Sequence, residues 1–260
     1  MMVEIDFGLW PQAFSLVLAR VAGLVGSIPF FWGQQAAGSI RLSYVLIVAL
    51  LLTPLVPPEW MASAGQMQTG FGMFIGMLGE LLLGGAVGLI CNLFLGAVVF
   101  AGSLAGQSAG LMMAQEVDPQ TGVNSTIMTT LMQTIFILAV VLNDGHLTLL
   151  RVIAESVYHV QPGLLWLNDG WMQGFMTLGS AMYDWGLRLA TPAVATVLIL
   201  DAGFALIAKF APDFEIMFMS IPIRLAATLT IFGLTLQYSE TYMTGMIQRM
   251  LRLCSNVLSG

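Results

Sequence analysis

Between Glu80 and Glu116 the chain runs for 35 residues without a charged side chain. As one straight helix that stretch would reach about 52 Å at 1.5 Å per residue, well beyond the ~30 Å hydrocarbon core of a bilayer. Two foldings satisfy it. Either the run doubles back near Gly96, or it forms one long kinked helix that leaves the usual membrane slab because other helices surround it. Its second half, AVVFAGSLAGQSAGLMMAQEVDPQTG from Ala97 to Gly122, is patterned. Ala97, Ala101, Ala105 and Ala109 recur every four residues, with Gly102, Gly106 and Gly110 beside them. A helix here carries a broad face almost bare of side chains, which other helices can approach closely. That face leads into Met112 and Met113 and is expected to break at Glu116, Asp118 and Pro119.

The rest of the composition agrees with this run. Apolar residues make up 58% of the chain and charged ones 8%, about a third of the charged share usual for a soluble domain. This is the composition of an integral membrane protein. Uncharged stretches recur along all 260 residues, so one membrane domain, 1–260, is the economical reading. The net charge of -6 comes from scattered carboxylates, and no basic stripe exists to track phosphates. Nucleic acid is therefore excluded as a partner. Cys91 and Cys254 fit neither a disulfide framework nor a zinc site, and are expected to be free thiols, one of them buried. The N-terminus carries Glu4 and Asp6 and no basic residue, so it lacks the positive region of a cleavable signal and is expected to remain.

In chain order, Pro11 to Phe31 is apolar and long enough to span, with Arg20 inside it. A charge at that depth needs a partner within the protein or a route to water. Leu42 to Pro58 and Ser125 to Leu142 are further apolar segments, the latter ending in the polar turn Asn143 to His146. Gln161 to Gln173 reads as a loop with interfacial Trp166 and Trp171. Asp201 lies inside the next apolar run, and Arg224 to Tyr238 is the last one. Beyond it Met243, Met246, Ile247, Met250 and Cys254 share one helix side, apart from Arg249 and Arg252. This amphipathic tail is expected on a membrane surface or a partner. Its arginines place the C-terminus in the cytoplasm and the acidic N-terminus in the periplasm, which requires an odd number of crossings. Counting the Ala/Gly run as its own crossing gives seven, and without it six; the odd count is preferred.

No catalytic pattern is present: no G-x-S-x-G, H-E-x-x-H, P-loop or dinucleotide turn. His146 and His159 have no carboxylate or cysteine at metal-ligand spacing. No metal, cofactor or catalytic residue is assigned, and the chain is not read as an enzyme. The intramembrane charges Arg20, Glu80 and Asp201 are the sort that mark transport paths, but they are too few and too spread to form a relay. A stand-alone secondary transporter, with Glu80 and Asp201 coupling ions, would require an internal repeat, and none is found.

Five stretches in register, ARVAGLVGSIPFF followed by Arg41, GELLLGGAVG around Glu80, AGSLAGQSAGLMMAQEVDPQTG, NDGHLTLL and LIAKFAPDFEIMFMSIPIR, resemble the FliR/SctT family of type III secretion export-gate proteins. The likeness covers nearly the full length. Two departures stand out. The polar break reads Lys209, Pro212, Asp213, Phe214, Glu215, more acidic than the family pattern, and Ile221 to Arg224 is similar to the injectisome branch whereas Asp144 to His146 is similar to the flagellar one. The flagellar reading is preferred. The resemblance implies an all-α polytopic membrane protein of long kinked helical hairpins, with a FliP-like part over about 1–125 and a FliQ-like part over about 126–260. It implies assembly with FliP-like and FliQ-like subunits, FlhB and FlhA in the inner membrane of the flagellar basal body, and passage of unfolded export substrates. It further implies that the loop after the small-residue helix is a plug, formed here by Gly110, Leu111, Met112, Met113, Glu116, Asp118 and Pro119. Ala97, Ala101, Gly102, Ala105, Gly106 and Ala109 would form the packing face beside it, turned toward neighbouring subunits or toward helices of the same chain.

Overall fold

The computed structural model describes residues 9–28, 38–66, 70–110, 127–160, 162, 169–210 and 216–259. The regular elements among them are all helical: α1 (Trp10–Ser27), α2 (Gly38–Leu52) with a 3₁₀ turn at Thr53–Leu55, α3 (Pro58–Gln66), α4 (Gly70–Ser108), α5 (Ile127–Leu142), α6 (Gly145–His159), α7 (Asp169–Phe210) and α8 (Ile216–Ser259). The all-α expectation holds. α1 opens with Pro11 in its first turn, where a missing N–H costs nothing because that donor has no intrahelical partner.

The uncharged run does not double back. It belongs to a single 39-residue helix, about 58 Å long at 1.5 Å per residue. The Ala/Gly stretch is the C-terminal part of α4 and not a crossing of its own, so the count of seven built on it falls. That stretch also ends earlier than Glu116. Gly110 takes a positive φ of 80°, a conformation that favours glycine, and its N–H donates to the Gln107 carbonyl at 3.0 Å, the left-handed stop common at helix C-termini. Residues 111–126 lie outside the described ones.

Among the described residues three helices are long and apolar enough to cross a membrane: Gly38–Leu55, Gly70–Ser108 and Met176–Phe210. α5 and α6 add a fourth if they form one broken span, since they are bent by 62° around Asn143 and Asp144. α1, expected as a span, is not among them. It is buried along most of its length, from Ala13 to Val25. By length and composition it falls short because Pro11, Gln12 and Arg20 dilute its 18 residues.

The chain forms two compact units. The first combines Met1–Leu93, Asp144–Phe175 and Ile247–Gly260, and in it α1 packs on α2 and α3. Here α4 runs parallel to α1 at very close range. A Cβ on Gly84 would overlap the Arg20 carbonyl, and one on Gly88 would overlap Ser27. Gly23 and Ser27 on α1 thus face Gly84 and Gly88 on α4, two small pairs at four-residue spacing that let the backbones touch. The last turns of α8 also pack in this unit: Ile247, Met250 and Cys254 are buried, and Cys254 Sγ lies 3.9 Å from Cys91 Sγ of α4. On the apolar side of the tail, expected on a membrane surface or a partner, Cys254 rests against the chain's own α4. Both thiols are buried, where one was expected.

The second unit combines Phe94–Asn143 and Met176–Met246. Ala105 of α4, Met128 of α5 and Ala193 of α7 form a core cluster, against which Phe232 of α8 packs. Phe94 of α4 packs tilted against Trp185 of α7 and Phe100 packs edge-to-face against Tyr183, at centroid distances of 4.5 and 5.4 Å.

Candidate functional site

In the first unit the two charges that stood out inside apolar sequence meet. Arg20 is 2% exposed and Glu80 0%. The Arg20 Nε–H donates to Glu80 Oε2 at 2.5 Å, Nη1 donates to Ser156 Oγ at 3.0 Å, and Nη2 donates to the Val160 carbonyl at 3.3 Å. Trp60 Nε1 of α3 donates to that same carbonyl at 3.1 Å. The local cause is the tight α1/α4 crossing: Glu80 stands one turn before Gly84, so closing the glycines brings the carboxylate level with Arg20. The other half of the cluster is the end of α6, whose last carbonyls have no intrahelical donors. A cation at a helix C-terminus is favoured by the dipole, so one guanidinium neutralises Glu80 and caps α6. The arrangement ties α1, α3, α4 and α6 together.

Asp201, the third buried charge expected, lies in the second unit and pairs with Arg224 of α8 at 2.7 Å. It is 39% exposed, so the pair is only partly withdrawn from the surface of the described chain.

The bare face of α4 also lies in the second unit. Ala97, Ala101 and Ala105 are 0% exposed and Ala109 1%, with Gly102 and Gly106 buried beside them. The chain's own helices cover it. A Cβ on Gly102 would stand 2.6 Å from Thr129 Cα of α5, and a Cβ on Gly186 of α7 would stand 2.8 Å from the Ala97 carbonyl oxygen. Of the residues assigned to the plug, Gly110 is the left-handed end of α4, whereas Leu111, Met112, Met113, Glu116, Asp118 and Pro119 lie outside the described residues.

Ser156, Val160 and Trp60 were not singled out in the sequence. A serine within a helix and a backbone carbonyl give no periodic signal. The small pairs Gly23/Ser27 and Gly84/Gly88 did carry one, at the same spacing as the face from Ala97 to Ala109.

A profile of the family described as "Bacterial export proteins, family 1" matches residues 12–250. The chain is 27% identical to the flagellar biosynthetic protein FliR of Caulobacter vibrioides over 225 residues, which cover 85% of this chain and 87% of that protein. It is 21% identical to the FliR of Escherichia coli over 250 residues, covering 96% and 94%. A shorter match, 24% over 153 residues, covers 56% of this chain and 57% of the Yop proteins translocation protein T of Yersinia pestis. The family profile runs across both compact units and includes the Arg20–Glu80 cluster and the small-residue face of α4 alike: the chain is a member of family 1 of the bacterial export proteins.

Proposed function

We propose that this membrane protein is a structural subunit of the flagellar type III export gate, with no reaction of its own. The observation that carries the reading is the collinear match to flagellar relatives over 83–98% of the chain. The injectisome relative covers 56%, which favours the flagellar assignment. In this reading the chain works beside FliP-like, FliQ-like, FlhB and FlhA partners in the inner membrane, its parts before and after about residue 125 being FliP-like and FliQ-like. Its Arg249 and Arg252 end is cytoplasmic and its N-terminus periplasmic. A cysteine at position 259 should then label only after the inner membrane is permeabilised.

Residues 110–120 close the path at rest. The covered face of α4 supports this by fixing the helix up to Gly110, so that the segment after it starts from a rigid anchor. Leu111, Met112 and Met113 supply deformable apolar bulk, because methionine repacks around different neighbours. An apolar constriction blocks ions by staying dry. Shortening Leu111 to Val117 should therefore raise small-ion permeability of cells holding the complete gate while partner co-purification is kept, and Met112→Ser with Met113→Ser should give a weaker leak. Normal assembly with cells as tight as wild type would place the seal in other subunits.

A further inference from the structure

A partly enclosed cavity of about 370 Å³ lies between α1, α2 and α6 in the first unit, near the lower end of the ~300–1,000 Å³ range of ligand pockets. Its two ends differ. Arg20 meets Ser156 and Val160, and the α1 residues after it share the cavity with the α6 residues before Ser156; the two helices thus run antiparallel along it, with Val21 toward Ile153 and Ile28 toward His146. α2 follows α1 by a short connection and lines the cavity with Tyr44 and Val48. The α1 and α6 residues at the Val21 end are aliphatic. The other end carries the His146 imidazole, whose Nδ1 is buried and finds no hydrogen-bond partner among the described residues, and the α2 wall adds the Tyr44 phenol. Arg41 stands one turn ahead of Tyr44 on the same helix side, and His146 lies in the first turn of α6, where anionic groups are favoured.

We propose that this cavity holds one acyl chain of a zwitterionic membrane phospholipid, with the tail against Val21 and Ile153 and the phosphate and glycerol ester at His146, Tyr44 and Arg41. Three features select this occupant. The volume suits one slender chain and not a bulky ring system. The lining is apolar except for Tyr44 and His146, as an amphiphile requires. The wall formed by α2 belongs to a membrane-crossing stretch whose other side exposes Ile47 and Leu51, so the cavity borders the lipid phase. Asp144, exposed just ahead of α6, offsets part of the positive charge, which favours a headgroup carrying an ammonium over a purely anionic one.

The test uses the full-length protein in nanodiscs made with phosphatidylethanolamine bearing a diazirine in mid-chain. Irradiation should label residues 21–28 and 146–153 with about one lipid per chain. Leu149→Trp, whose indole fills the cavity, should lower that labelling at least fivefold and leave labelling of the exposed Ile47 and Leu51 unchanged. If Leu149→Trp does not fold, Val48→Phe blocks the same space from α2. Labelling confined to the exposed Ile47 and Leu51 in the wild type, or cavity labelling unchanged in a folded blocked variant, overturns the proposal. So does equal labelling by phosphatidylglycerol or by a free fatty acid carrying the same diazirine, because the headgroup would then play no part. The leak assay of the gate does not depend on any of these outcomes.

Discussion

Replacing Glu80 by leucine would leave the Arg20 guanidinium at 2% exposure with the Ser156 hydroxyl and the Val160 carbonyl as its remaining partners among those bonds. Both are neutral. Breaking a buried ion pair by removing one partner costs about 3–5 kcal/mol, because the surviving charge is uncompensated. Arg20→Met should cost a similar amount, since it takes the guanidinium away from Glu80, which is 0% exposed, and a donor from the end of α6. Removing both charges is a different perturbation. Apolar replacements of similar volume are often neutral or stabilising by about 1–4 kcal/mol, so Arg20→Met with Glu80→Leu should recover most of either single loss. A single loss of about 4 kcal/mol corresponds to nearly a thousandfold in the unfolding equilibrium. Ser156→Ala, which removes one hydrogen bond to a charged group, should cost about 1.5–3 kcal/mol. The assay is denaturant unfolding of the purified full-length chain in mild detergent, followed by tryptophan fluorescence. Single variants within about 0.5 kcal/mol of wild type, the variation expected of surface substitutions, would refute the reasoning. A double variant no more stable than the singles would do the same.

Gly102→Leu places side-chain bulk where Thr129 Cα stands 2.6 Å from a Cβ, and overpacking of this kind costs about 1–3 kcal/mol. The folded yield of the isolated chain should fall, and an unchanged yield together with unchanged motility would remove the face from the account. Cys91 and Cys254 should join under copper–phenanthroline oxidation, since 3.9 Å between the sulfurs needs only side-chain rotation and small helix shifts to reach the ~2.05 Å of a disulfide. Peptide mapping that finds both thiols still reduced would mean that the end of α8 does not rest on α4.

The sequence displayed the helical membrane class and both halves of the central polar cluster, because a charge inside an apolar run stands out against its neighbours. What it did not reveal was that Arg20 and Glu80 belong together. They are 60 positions apart, and their meeting depends on two helices whose glycines were visible but whose mutual register was not. The Ala/Gly face was legible for the same reason as the charges, as a departure from the background. Its neighbours were not legible, since α5 and α7 meet it through Thr129 and Gly186, residues with no marked pattern of their own. The end of α4 was misplaced for a local reason. Proline and acidic residues near 116–119 drew attention, whereas the operative stop is the positive φ of Gly110, one glycine among several in that run. The tail of α8 was read correctly as amphipathic, but amphipathicity specifies that a side is covered and not by what.

The most direct test of the central claim is the company the chain keeps. Purified from its native membrane in mild detergent under an affinity tag, it should elute in one high-molecular-weight complex with FliP-like and FliQ-like subunits in fixed ratio, identified by mass spectrometry. Elution as a monomer or a small homo-oligomer, with those subunits present in the membrane but absent from the eluate, would contradict the assignment as a gate subunit.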